Sequence, residues 1–317
     1  MAAASGDGNS SAEIFRCLVR KSLPPCNLIE NLPLKQFTTL RIGGPARFFC
    51  EPRNLDELRV LLRRAGESGL RHSIIGAGSN LLVDDSGFHG LILRLRGNFW
   101  ESQRIGEKNI YVRCGLPMKR LSIACCSNCI GGYEFCDGIP GTIGGAIAMN
   151  AGAFSSAMGD FVEKITALGR DGKIVSICGG TFSYRKSPLR HGDIVLAATL
   201  KRPADLVPVE MIIARRDQMS AERRKKQPRE PSAGSIFRNP PATSAGKLID
   251  EAGLKGTRIG DAQISLLHGN FIVNRGHATC AQVLELIFLA KRTVMERFGV
   301  DLVPEICFLT DSWEGPL

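Results

Sequence analysis

Between Gly138 and Gly152 the chain reads Gly-Ile-Pro-Gly-Thr-Ile-Gly-Gly-Ala-Ile-Ala-Met-Asn-Ala-Gly, with glycine at 138, 141, 144, 145 and 152. Glycine loses more backbone freedom on folding than any other residue, so such a cluster needs a physical reason. One reason is close approach of main-chain N–H groups to a phosphate. The other is a buried crossing of two backbones, where any Cβ would collide. Composition leaves the two readings level.

The chain of 317 residues exceeds one ordinary core, and two or three domains are expected. A hydrophobic content of 44% and a charged content of 23% are those of a water-soluble globular protein. No apolar run reaches the roughly 18 residues of a membrane helix. Residues 1–13 have neither a basic nor an apolar targeting segment and are read as a disordered tail. The expected location is the cytoplasm.

Eleven cysteines, an odd number, argue against a complete disulfide framework. Cys125, Cys126, Cys129 and Cys136 cluster, but no second Cys/His group completes a metal site. Proline at 117 opens a helical pattern in which Leu121, Cys125 and Cys129 share one face, so these thiols are expected in the core and no metal is expected. The net charge of +10 is densest at Arg223-Arg-Lys-Lys226. A nucleic-acid patch, a solvated helix end and an anion-attracting patch all fit that run. With only 6% aromatics, stacking platforms for single-stranded nucleic acid are not evident.

Along the chain, residues from about 46 to 96 alternate strands with a helix that Asn54 and Glu57 open as a capping box. Residues 99–202 read as mixed strands with one helix and a tight turn at Gly169–Gly172. Residues 203–317 carry helical patterns over 209–224, 245–252 and from Thr279 onward, then a closing strand over 302–309. On the Thr279 helix the expected apolar face is Val283, Leu284, Ile287, Phe288, Val294, Met295 and Phe298. The fold class is α+β.

Ordered motifs add to this reading. Ile139–Ala146 followed by Asn150-Ala-Gly-Ala-Phe154, Thr38–Ala46, Gly76–Val83, Tyr184-Arg-Lys-Ser187 and Pro231–Pro240 together resemble the UDP-N-acetylenolpyruvoylglucosamine reductase family. That family has the FAD-binding fold typified by p-cresol methylhydroxylase and vanillyl-alcohol oxidase. The resemblance implies a two-part FAD-binding domain, residues 14–98 and 99–202, and a substrate-binding domain, residues 203–317. It implies FAD and NADPH as cofactors and an enolpyruvyl ether of a UDP-sugar as substrate, in peptidoglycan precursor synthesis. In that family's reaction reduced flavin gives hydride to the vinyl carbon, and negative charge gathers beside the substrate carboxylate.

Carried over to this chain, the resemblance makes Arg185 the carboxylate clamp and Ser235 the proton donor. Glu305 assists Arg185, protonated by virtue of burial and like charge. Tyr184, Lys226 and Asn239 are expected against the substrate. Arg41, Gly43, Gly76, Gly78, Ser79, Asn80, Gly141, Thr142, Gly144 and Gly145 are expected against FAD. His268 and His277 are expected to be satisfied or exposed, and Leu267 stands where the family often carries a lysine. The short span from Tyr184 to Ser235 matches the family's shorter class, without its tyrosine-bearing loop. No nucleic acid or membrane partner is implied; the sequence sets no oligomeric state, and a monomer is compatible with it. Two rivals stay open: another FAD oxidoreductase of this fold, and a basic nucleic-acid-binding protein that retains it.

Overall fold

The computed structural model describes residues 7–22, 28–311 and 314–316. Its first sheet orders the strands Ile29–Pro33, Pro45–Cys50, Phe88–Arg94 and His72–Ile75. The last three run parallel. Central strands of this kind are buried on both faces, and Phe48, Phe49, Leu91, Ile92 and Leu93 are accordingly out of solvent. Helix Leu55–Glu67 covers the sheet with Leu58, Leu61 and Ala65; each fully buried leucine contributes about 1.5–3 kcal/mol. Asn54 Oδ1 caps it by accepting from Glu57 N–H at 3.0 Å. The reciprocal arm of the expected capping box is missing, because the Glu57 carboxylate accepts instead from Arg53 N and Nε, each at 2.7 Å.

The second sheet is antiparallel and orders Ile174–Cys178, Val162–Leu168, Ile194–Lys201, Asn109–Arg113 and Gln103–Ile105. It shares one hydrophobic core with the first sheet, running from Phe48 and Leu93 through Trp100 to Val112 and Ile165. Helix Met118–Ser127 packs Leu121 and Cys125 into that core. Pro117 caps this helix rather than opening it, with ψ at 137°. Cys129 lies beyond the helix in a left-handed turn, φ 58°, so it does not share the face with Leu121 and Cys125.

The third sheet orders Ser232–Ser235, Phe271–Asn274, Ala262–Ile264 and Arg258–Ile259. Helices Ala245–Glu251 and Cys280–Phe298 share its core, into which Leu40, Ile42 and Leu82 of the first part also pack. The Thr279–Gln282 capping box is present in both arms. The buried face of the long helix is Val283, Leu286, Ile287, Ala290 and Val294. Phe288, Met295 and Phe298, expected inside, are exposed.

Two more corrections concern the ends. Helix Asp7–Ser22 begins inside the expected tail and buries Ala12, Phe15 and Val19; residues 1–6 lie outside the described residues. The closing strand is Cys307–Leu309, not 302–309. It pairs parallel with Leu81–Val83. Chain that has completed the third part thereby returns to the first.

Candidate active site

A parallel strand, His72–Ile75, delivers the Gly76–Asn80 loop at its carboxyl end, where open α/β sheets bind ligands. Ser79 Oγ donates to the Pro140 carbonyl at 2.7 Å, joining this loop to the second glycine segment. Gly76 abuts Thr142, whose Oγ1 would lie 2.8 Å from an added Cβ. Both readings of the glycines hold, at different positions. At Gly78 a Cβ would sit 2.0 Å from the Phe37 carbonyl oxygen, and at Gly144 it would sit 3.0 Å from Cys114 Cβ. These are backbone crossings. Gly145 is exposed within helix Ile143–Ala148, and its nearest neighbour to a Cβ is Thr142 Oγ1 at 3.8 Å. Alanine there would favour the helix by about 1 kcal/mol, so packing gives no reason for glycine. Gly141 also has room, with only Ser79 Oγ at 3.6 Å, but its φ of 155° is a backbone reason for glycine that Gly145 lacks. A cradle open at Gly141 and Gly145 and edged by the Ser79 and Thr142 hydroxyls fits a phosphate-bearing cofactor.

Beside it, Ser183 and Lys186 exchange backbone hydrogen bonds at 3.1 and 3.0 Å, making Tyr184 and Arg185 the tip of a tight turn. Arg185 is left-handed, φ 56°, a conformation that costs an ordinary side chain about 1–2 kcal/mol. Its Nε lies 2.5 Å from Glu305 Oε1. The contact is one of charge, since that N–H is not aligned for a hydrogen bond. Tyr184 is 54% exposed, with the Arg185 guanidinium 5.2 Å from its ring centre.

Glu305 is 9% exposed and sits just before the closing strand. Its N–H donates to the Ile236 carbonyl at 2.7 Å, and its own carbonyl accepts from Asn80 Nδ2 at 3.0 Å. Burial raises its carboxyl above the usual carboxylate range, and Arg185 opposes that rise without cancelling it. Ser235, half-buried, ends the strand Ser232–Ser235 and directly precedes Ile236, the residue that holds Glu305. Gly234, φ 76°, finds only the Ser79 carbonyl, 3.9 Å from its built Cβ. Thus Arg185 and Glu305 meet, Ser235 lies next to the residue that anchors Glu305, and both Asn80 and Ser79 of the first loop border them.

Other candidates lie elsewhere. Arg41 and Gly43 line a cleft of about 300 Å³ with Lys35, Asp85 and His277, not the glycine cradle. Asn80 uses its amide on Glu305. Asn239 Oδ1 accepts from Ala245 N–H at 3.1 Å, the first N–H of the helix that Ser244 caps, while its own N–H donates to Tyr184 Oη at 3.3 Å. Lys226 has a side chain 75% exposed and lies 4.0 Å from Glu222. Near it, a cleft of about 410 Å³ is lined by Arg224, Arg229, Arg275, Leu266 and Leu267.

Two cations escaped sequence reasoning. Arg223 turns inward against Gly138, and burial pushes its guanidinium below its ordinary value; its place in a basic run hid this. Arg238 has a buried Nε with no hydrogen-bond partner and lies within electrostatic reach of Glu305; only its place in the Pro231–Pro240 motif signalled it. Much of the remaining basic helix Val209–Lys226 is structural, with Arg216 3.2 Å from Asp137 and Arg215 3.5 Å from Glu134. His268 Nδ1 accepts from Asn270 N–H at 3.1 Å, and His277 is exposed. Among the described residues no group of His, Cys, Asp and Glu is arranged to hold a metal, and no helix is long and apolar enough to cross a membrane.

Residues 46–177 match the FAD binding domain family, and residues 227–309 match the UDP-N-acetylenolpyruvoylglucosamine reductase C-terminal domain. The UDP-N-acetylenolpyruvoylglucosamine reductase of Caldicellulosiruptor saccharolyticus is 42% identical over 298 residues, covering 91% of this chain and 94% of that protein. The chain belongs to the UDP-N-acetylenolpyruvoylglucosamine reductase family. A second such reductase, from Symbiobacterium thermophilum, is 42% identical over 93% of this chain and 95% of its own length. The crystal structure of the reductase from Thermus caldophilus superposes with a TM-score of 0.75 at 39% identity, covering 88% of this chain and 98% of that one. The family assignment makes the glycine cradle part of an FAD-binding domain, and the fold a mixed α+β one in which that domain precedes the reductase C-terminal domain. Ser235 and Glu305 both lie within the C-terminal match, and Arg185 lies between the two matched regions.

Proposed function

We propose that this protein reduces UDP-N-acetylglucosamine enolpyruvate to UDP-N-acetylmuramate, with NADPH as reductant and FAD as resident cofactor. The observation that carries the proposal is the Arg185–Glu305 contact at 2.5 Å, set beside the strand end that bears Ser235 and the glycine cradle. FAD, when bound, supplies the hydride for the vinyl carbon. Ser79, Gly141, Thr142 and Gly145 are the residues that would hold it, with Gly76, Gly78 and Gly144 shaping their loops.

The protein's own groups manage charge and protons. Arg185 grips the substrate carboxylate with a guanidinium that does not lose its charge. Negative charge developing on that carboxylate is stabilised by fixed donors already in place, which costs no reorganisation. Glu305, held neutral by burial and by the arriving carboxylate, donates a hydrogen bond to it. Ser235 Oγ gives its proton to the carbon next to the carboxylate, an enolate-like and strongly basic centre, so an ordinary hydroxyl suffices. Tyr184, Asn239 and Lys226 take the UDP-sugar side, and Arg223 adds a further cation for its diphosphate. The chain fits the shorter class of the family, and the part boundaries near residues 98 and 202 belong to the same reading.

The test is turnover with product identification. NADPH consumption that depends on the enolpyruvyl ether and yields the saturated lactyl ether supports the proposal. NADPH consumption indifferent to that substrate rejects it.

A further inference from the structure

Asn150 belongs by sequence to the flavin signature, yet its side chain works elsewhere. It is 8% exposed and left-handed, φ 43°. Its N–H donates to the Ile147 carbonyl at 3.2 Å, and the next residue, Ala151, donates to Ala146 at 2.8 Å. Both bonds fix Asn150 to the end of helix Ile143–Ala148, the helix that carries Gly144 and Gly145. Its Oδ1 accepts from Gly159 N–H at 2.9 Å. Its Nδ2 donates to the Ser183 carbonyl at 2.8 Å.

That carbonyl already accepts from Lys186 N–H and closes the turn with Tyr184 and Arg185 at its tip. Arg185 holds an unfavourable backbone conformation, which persists only where the surroundings over-determine it. The Asn150 amide supplies that constraint from a rigid helix. Its donor and acceptor arms point to different segments, and asparagine tolerates the left-handed region better than most residues.

We infer that Asn150 is a positioning residue for Arg185. It ties the turn to the end of the flavin-segment helix, so that the guanidinium meets Glu305 and the substrate carboxylate together. The kinetic side of this inference rests on the proposed reaction; the structural side rests on the hydrogen bonds alone.

Asn150→Asp keeps the Gly159 arm and removes the donor to Ser183. In the FAD-loaded protein under anaerobic conditions, bleaching of the flavin by NADPH stays within about twofold of wild type. Return of colour on adding the enolpyruvate slows about 10- to 100-fold, the scale expected of a misplacement near 1 Å. In an Arg185→Ala background the same substitution adds less than about twofold, because the group it positions is gone. Amide hydrogen exchange of the peptide spanning Ser183 and Lys186 becomes faster. Asn150→Ser, which carries no charge, shows the same pattern and replaces the aspartate variant if that one does not retain FAD.

An unchanged rate of colour return in Asn150→Asp overturns the inference. So does a slowing of equal size with and without Arg185, which would mark a general structural role. If wild-type flavin is not reoxidised by the enolpyruvate, the functional proposal fails by itself. Faster exchange at Ser183 and Lys186 then still supports positioning of the turn, and unchanged protection refutes it.

Discussion

Asn80 Nδ2 donates to the backbone carbonyl of Glu305 at 3.0 Å, and Cys307 N–H donates back to the Asn80 carbonyl at 3.0 Å. The loop that follows the first parallel strands thereby holds a residue 225 positions away. Loss of one such bond costs about 0.5–1.5 kcal/mol. Asn80→Ala is expected to lower the unfolding free energy by that amount and to slow flavin reoxidation by substrate more than flavin reduction by NADPH. Denaturant titration and anaerobic stopped flow check both parts.

Gly78 and Gly145 separate packing from ligand binding. In Gly78→Ala the new methyl meets the Phe37 carbonyl at 2.0 Å, on a backbone with φ 62°. Left-handed strain of about 1–2 kcal/mol and overpacking of about 1–3 kcal/mol should destabilise it even without cofactor. Gly145→Ala meets nothing closer than 3.8 Å and should leave the apoprotein as stable as wild type or more so, while weakening FAD binding. Thermal unfolding of both apoproteins and FAD titration of both variants decide this.

Glu305 makes a pH prediction with a definite sign. Its carboxyl is raised by burial against the opposing pull of Arg185, so the neutral donor form is present below the raised value and is lost as pH rises through it. Flavin reoxidation by substrate should therefore fall on the alkaline side, and Glu305→Gln should show a lower rate without that limb. The folded state also holds this proton more tightly than the unfolded state, so the associated stability is complete at low pH and disappears as pH rises through the folded value. Rate and unfolding profiles of the two proteins across pH test both consequences.

The thiols differ in reach. Burial pushes Cys114 and Cys125 up to about 12, and Cys136 is fully buried with its thiol raised well above the ordinary range. Cys17 and Cys178 are exposed. Alkylation of the native protein at neutral pH should modify Cys17 and Cys178 and spare Cys114, Cys125 and Cys136 until denaturant is added; peptide mapping reads the result.

The glycine motifs, the strand–helix alternation and the Thr279 capping box were legible because each is local: spacing and residue type dictate them. What sequence left open was decided by contacts across the chain. The helix Cys280–Phe298 is apolar around much of its circumference, so periodicity could not choose between Leu286 and Phe288 as its inward face; the third sheet and helix Ala245–Glu251 chose Leu286. Asn54 and Glu57 have capping-box spacing, but Arg53 competes for the carboxylate. Asn80 and Asn150 sit in flavin motifs and spend their amides on Glu305 and Ser183, partners far along the chain. Arg185, Ser235 and Glu305 were named from motifs alone, whereas the contact between Arg185 and Glu305 is a property of the return of strand Cys307–Leu309 to Leu81–Val83.

The central claim is tested most directly by the visible spectrum of the purified protein under anaerobic conditions, with NADPH added first and UDP-N-acetylglucosamine enolpyruvate second. The account predicts flavin absorbance that bleaches with NADPH and returns with the enolpyruvate, and a Ser235→Ala variant that bleaches normally and recovers about 10²–10⁴-fold more slowly. Bleaching with no return in the wild-type protein would contradict the proposed substrate, and absence of flavin absorbance even after FAD is added would contradict the site itself.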